Sequence, residues 1–308
     1  MPTNSLPMYA DTPLSLIHTP KYETGKVSTW IGLPITNGSE CFLIDIPKTD
    51  PFTIEASKMA LSHNSFIRGF NSIYQQAPRV LPADRADFVD YCIAWHDCVD
   101  AHHHYEETDL FPSIDKAAGR SGLMDSAVDE HAAFHDGLEE FKQYLSKEGS
   151  DFSASRLIAI MDSFKDPLHS HLKAEPLSIV ALAQYSTKEN PIDILSLADA
   201  AVRKSITLSL VFNVMPIFYL NMDSEFEGGM WDGVFPSLKG TGRWLVSKTI
   251  FAWHSSRWRK EFPEFVVSLI SHDIAFIVMS EMEAIDRTTE PEPVVFDDAA
   301  PVIASLIA

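Results

Sequence analysis

Four stretches of this chain set histidine, or histidine with glutamate, inside an apolar stripe of helical period. That repetition limits the fold more than any other feature. Within residues 102–112, His-His-His-Tyr-Glu-Glu-Thr-Asp-Leu-Phe-Pro, His102 and Glu106 stand one helical turn apart and point at the same spot. A His with a Glu four residues on is also what an ordinary solvated helix face looks like. The pair gains meaning only if other helices bring matching residues.

They do. From Pro51 to Gln76 the residues Phe52, Ala56, Met59, Phe66, Phe70 and Ile73 recur every three or four positions, and His63 falls on their stripe. A turn at Ala77–Asp84 leads to a second helix with the stripe Phe88, Cys92, Trp95, Val99. At roughly 100° per residue, His102 and Glu106 continue the centre of that stripe, while His103 and Glu107 rotate toward its edge. A third helix, Leu123 to Lys147, has the stripe Met124, Val128, Phe134, Leu138, Phe141, Leu145, with His131 and His135 inside it. After a turn at Glu148–Asp151, a fourth shows Leu157, Ile160, Met161, Phe164 and Leu168, continued by His171 and Glu175. Phe111-Pro112 and Gly119–Gly122 are expected to end the second helix, and Pro167 and Pro176 to kink or bound the fourth.

The expectation is an all-α chain: an antiparallel bundle of four helices over residues 52–180, an N-terminal arm over 1–51 packed on it, and a mostly helical C-terminal extension over 181–308. The arm is rich in Pro, Thr and Gly and has room for a strand or two at Ile31–Pro34 and Cys41–Ile46. In the extension, Ile206–Met222 is marginally short for a membrane span of about 20 residues and reads as a buried helix. Phe265–Met279 reads as another helix, before an acidic tail from Glu281.

A net charge of −19 argues against a nucleic-acid binder, which needs cationic surface to displace counterions from phosphates. Cys41, Cys92 and Cys98 are too few for a disulfide framework or a thiolate zinc site. With no secretory signal in Met1–Thr12, a cytoplasmic location is expected. Nothing supports a Ser or Cys nucleophile, and no phosphate-binding Gly loop is present.

His63, His102, Glu106, His131, His135, His171 and Glu175 would thus converge inside one bundle. Each buried polar group left unsatisfied costs about 1–3 kcal/mol, and a metal centre removes that cost directly. Imidazoles with carboxylates and no thiolate suit iron or manganese better than a structural zinc. Seven ligands are too many for one ion, so two ions bridged by the two carboxylates are expected. Two octahedral ions with one bridging oxygen between them have about 12 positions, of which this set leaves one open to dioxygen. His18, His96, His103, His104, His169, His254 and His272 read as ordinary surface or core residues.

His63-Asn64, His102 with Glu106 before Leu110-Phe111-Pro112, His131 with His135, and His171-Leu172 with Glu175 resemble the successive ligand motifs of the hemerythrin-like (HHE cation-binding) family over residues 52–180. The resemblance implies an up-down-up-down four-helix bundle and a non-haem di-iron centre with an oxo or hydroxo bridge. One iron would take His131, His135 and His171, and the other His63 and His102, with Glu106 and Glu175 bridging. The chain departs from the family in its last carboxylate, a Glu four residues after its His in place of an Asp five after, followed at once by Pro176. Its length, its arm and its Glu225–Gly229 and Trp-rich segments are similar to the extended hemerythrin-like proteins of fungi.

Two functions are open at this point. A di-iron oxygenase or oxidase would activate dioxygen on a small organic substrate; a binding protein would carry, store or sense dioxygen or iron. An imidazole-rich set favours reversible binding. The long flanking segments, 1–51 and 180–308, favour an enzyme, because a carrier needs only the bundle. Lys239 to Lys260, with Lys239, Arg243, Lys248, Arg257, Arg259 and Lys260 among Trp244, Trp253 and Trp258, could contact an anionic substrate. The plainer reading is a basic strip paired with the acidic excess, and no clear amphipathic helix supports membrane attachment there. Phe66, Trp95 and Phe134 are expected to keep the pocket dry, and Glu225 and Glu227 read as loop residues.

Overall fold

The computed structural model describes residues 12–23 and 50–205, and beyond them 207, 210, 214–223, 225–231, 234 and 235. The proposed strands of the arm, the Lys239–Lys260 segment, the Phe265–Met279 helix and the acidic tail lie outside the described residues. All described elements are helical. They are α1 (Pro20–Glu23), α2 (Pro51–Gln76), α3 (Arg85–Tyr105), α4 (Phe111–Ala118), α5 (Asp125–Glu148), α6 (Ala154–Ala181), α7 (Ile194–Ser205) and α8 (Met215–Leu220). None of the described helices is long and apolar enough to cross a membrane. The chain divides into two compact units, Met1–Ser205 and Ile206–Ala308.

In the first unit the long helices close a ring of packing, α2 against α6, α6 against α5, α5 against α3, and α3 against α2. Helix α2 begins where the sequence places it, because Pro51 suits the first turn and Asp50 Oδ2 accepts the amide of Thr53 at 2.9 Å. Each long helix gives one aromatic ring to a layer across the core. Phe70 of α2 meets Trp95 of α3 at 5.9 Å, Trp95 meets Phe141 of α5 at 5.5 Å, Phe141 meets Phe164 of α6 at 6.3 Å, and Phe164 returns to Phe70 at 5.9 Å. All four contacts are edge-to-face, the arrangement that aligns ring edges with neighbouring π faces.

Helix α2 is buried on nearly every side, because residues 12–23 cover the face that the other long helices leave open. Asn71 and Asn64, two turns apart, act as backbone mimics. Asn71 accepts from the Leu14 amide at 2.9 Å and donates to the Leu14 carbonyl at 2.8 Å; Asn64 makes the same pair with Ile17, both at 2.8 Å. Three residues of extended chain span about 10 Å, as do seven residues of helix, so the two ladders stay in step. Ser57 Oγ, seven residues before Asn64, accepts the Lys21 amide at 3.0 Å.

The prolines bound fewer helices than the sequence suggests. Pro112 does not end the second helix. A π-helical turn, Glu106–Leu110, follows α3 and runs straight into α4, which stops only at Gly119, in the left-handed region at φ 65°. Pro112 cannot donate a hydrogen bond and its ring would crowd the carbonyl four residues back; the wider turn accommodates it. Pro167 and Pro176 both lie inside α6, which runs unbroken for 28 residues. Helix α7 joins the same apolar cluster as α2, α4 and the end of α6 through Ile194, Ala198 and Ala201. In the second unit, α8 buries Ile217 and Leu220, and the turn Phe226–Gly229 presents Glu227 to the Trp231 indole N–H at 2.8 Å.

Helices α5 and α6 approach closely at Gly137, where a Cβ would lie 2.7 Å from the Cβ of Phe164. Gly137→Ala should therefore lower stability by about 1–3 kcal/mol through overpacking, although alanine is the better helix former. Thermal denaturation reads the effect; an unchanged or raised melting temperature would show that the helices separate freely.

Candidate metal centre

Beyond the aromatic layer the same four helices give a layer of histidines. His63 comes from α2, His102 from α3, His131 from α5 and His171 from α6. Two groups of ligand atoms form, each with its members within 4.8 Å of one another: His63, His102, Glu106 and Glu175 in one, and His103, His131 and His171 in the other. All seven residues are buried.

The carboxylates span the groups. Glu106 sets Oε1 2.9 Å from His102 Nε2 and Oε2 3.7 Å from His131 Nε2. Glu175 sets Oε2 3.2 Å from His63 Nε2 and 3.6 Å from His171 Nε2. Imidazole nitrogens face one another within each group, at 3.2 Å for His63 and His102 and 3.1 Å for His131 and His171. The remaining ring nitrogens hold the orientation. His131 Nδ1 donates to Glu107 at 2.7 Å, His171 Nδ1 to Glu130 at 3.0 Å, and His63 Nδ1 to the Leu172 carbonyl at 2.7 Å. Backing of this kind fixes the tautomer and aims Nε2 at a metal.

Neither oxygen of Glu106 or Glu175 meets a hydrogen-bond donor, nor does His103 Nε2, and all five atoms are sealed from solvent. Buried acceptors facing one another without donors fit cations between them. Burial, with the neighbouring imidazoles, pushes His102 and His103 well below the usual histidine range, and His131 is lowered for the same reasons. These three are neutral and ready to ligate. Burial, then Glu175 and Glu107, drives Glu106 well up.

The structure brings together six of the seven residues expected from the sequence and leaves out His135. Its side chain is 63% exposed and lies 3.4 Å from Asp136. Helix α5 buries Ala127, His131, Phe134, Leu138, Phe141 and Leu145, and His135 falls just outside that seam. His103, read from the sequence as an ordinary residue, stands with His131 and His171 in its stead. Helix α3 buries a second column, Val89, His96 and His103, beside the first. That seven-residue spacing is a helical signal present in the sequence. Glu107 and Glu130, about two-fifths exposed, were also not singled out as functional. Of the other histidines, His169 Nε2–H donates to the Ser15 backbone carbonyl at 2.9 Å, and His96 is wholly buried beside Asp97 and Glu139.

Lowered histidines make acid unfavourable for the cation-free fold. Unfolded imidazoles take up protons below about pH 6.5, whereas folded His102, His103 and His131 resist them, so stability present above 6.5 is lost as pH falls. Glu106 opposes this, since its raised carboxyl loses stability as pH rises from 4.5. Three groups outweigh one. The melting temperature of the metal-free protein should fall between pH 6.5 and 4.5, and a flat or rising profile would contradict the assignment of neutral imidazoles.

Residues 56–183 match the hemerythrin HHE cation-binding domain. A relative, the dimeric xanthone biosynthesis cluster protein R11 of Cryptosporiopsis sp. (strain 8999), is 32% identical over 206 residues, which cover 66% of this chain and 76% of the relative. No solved structure matches the chain. With the motif order, the buried ligand groups and these similarities in agreement, the chain belongs to the hemerythrin-like, HHE cation-binding family.

Proposed function

We propose that this protein is a non-haem di-iron oxidoreductase that activates dioxygen to oxidise a small organic substrate. The observation that carries the proposal is the pair of buried ligand groups spanned by two donor-free carboxylates. His103, His131 and His171 would hold one ion, His63 and His102 the other, with Glu106 and Glu175 between them. The donor chemistry supports iron, because imidazole and carboxylate without thiolate suit it better than a four-coordinate structural zinc. When bound, two iron ions supply two electrons that can be passed to dioxygen.

The chain's own part is to position the ligands and keep water out. The Phe66 ring lies 4.9 Å from that of His102, and the Phe134 ring 5.1 Å from His103 and 5.6 Å from His171, so hydrocarbon flanks the histidine layer at both ligand groups. Trp95 contributes one layer away, in the aromatic ring. Dry walls limit escape of reactive oxygen species and loss of electrons to solvent. An up-down-up-down bundle accounts for the layers. From the histidines to the aromatics the chain runs forward in α2 and α5, from His63 to Phe70 and from His131 to Phe141. It runs backward in α3 and α6, from His102 to Trp95 and from His171 to Phe164.

An enzyme is favoured over a carrier because the chain extends well beyond the bundle and because the name of the relative ties that protein to a biosynthesis cluster. We take a small organic compound as the substrate class. A non-catalytic carrier, store or sensor of dioxygen or iron is the second reading, favoured by five imidazoles against two carboxylates in the cluster.

Anaerobic reduction of the iron-loaded protein, followed by dioxygen under an optical probe, separates the two. The enzyme reading expects a transient signal whose decay is accelerated by an oxidisable organic compound. A signal that persists and reverses when oxygen is removed would establish the carrier.

A further inference from the structure

The hydrogen bond between His63 and α6 has an unusual origin. In an α-helix the amide of residue 176 would bond the carbonyl of residue 172, but Pro176 has no amide hydrogen to give. A proline ring inside a helix also crowds the carbonyl four residues back. Leu172 is wholly buried, so water cannot satisfy the freed oxygen. His63 Nδ1 reaches it at 2.7 Å from the facing helix. Because a carbonyl only accepts, the proton lies on Nδ1, and Nε2 is left facing His102 at 3.2 Å and Glu175 at 3.2 Å. Pro167 is the natural comparison. It frees the carbonyl of Ser163, an exposed residue that water can serve.

We infer that Pro176 is a positioning residue of the metal centre: by withholding its amide it presents the Leu172 carbonyl that fixes the tautomer and aim of His63. The inference rests on the two-cation reading above. It gives the proline next to Glu175 a purpose that helix propensity does not, since proline in a helix interior is otherwise a cost. It also divides the two ligand groups by their backing, a neutral carbonyl behind His63 and carboxylates behind His131 and His171.

The test is Pro176→Ala in the full chain, with Pro167→Ala as comparison. Restoring an amide at 176 gives Leu172 a helical donor and removes the constraint on His63. Cobalt(II) binding is followed by its absorption in competition with a chelator, beside thermal melting of the metal-free proteins. Wild type should bind two cobalt ions. Pro176→Ala should bind one of the two about tenfold to a hundredfold more weakly and the other as before, while melting no lower than wild type. Pro167→Ala should keep both affinities. If Pro176→Ala binds both ions as wild type does, or loses affinity and metal-free stability together as a merely structural proline would, the inference is overturned. A wild type that binds fewer than two ions overturns the two-cation reading itself, and the inference with it.

Discussion

Two carboxylates buried in the middle of a helical bundle, with no donor on any of their four oxygens, are the constraint around which the rest of the structure is arranged. An ionised carboxylate in such a place is among the costliest groups a core can hold unless a positive charge stands beside it. Among the described residues, neither lysine nor arginine fills that role. Imidazoles approach from all four long helices, and the far nitrogens of His131, His171 and His63 are fastened to Glu107, Glu130 and the Leu172 carbonyl so that the near ones point inward. The aromatic layer one step away ties the same helices together and holds them at a fixed spacing. The arm, laddered onto Asn64 and Asn71, seals the outside of the helix that carries His63.

Helix termini and stripes were legible wherever one local signal decided them. Pro51 after Asp50 starts α2, and spacing of four between a buried His and a buried Glu placed His102 with Glu106 and His171 with Glu175. Misreadings arose where two signals competed. Pro112 reads as a stop because proline ends most helices, and the π-helical turn that absorbs it depends on keeping Leu110, Phe111 and Ile114 buried together, which is a tertiary demand. His135 sits four residues after His131, as a ligand pair would, yet the seam of α5 is only two columns wide and passes it by. His103 was discounted for lying at the edge of one stripe, when α3 packs on two neighbours and buries two columns.

Pairing by side chain and backbone across long sequence separations was not legible at all. Asn64 follows His63 directly and appeared as part of a ligand motif, but its own task is to hold Ile17. The bond from His63 to Leu172 links residues 109 apart, and its cause is a proline four residues further on. Such contacts follow from which helices become neighbours, a fact that no local periodicity contains.

The central claim is that two cations lie between these groups, with His103 among the ligands. Anomalous diffraction from crystals of the iron-loaded protein addresses it most directly. Two peaks are predicted, one against His103, His131 and His171 and one against His63 and His102, with Glu106 and Glu175 between them. A single peak, or iron ligated by His135 with His103 turned away, would contradict the account.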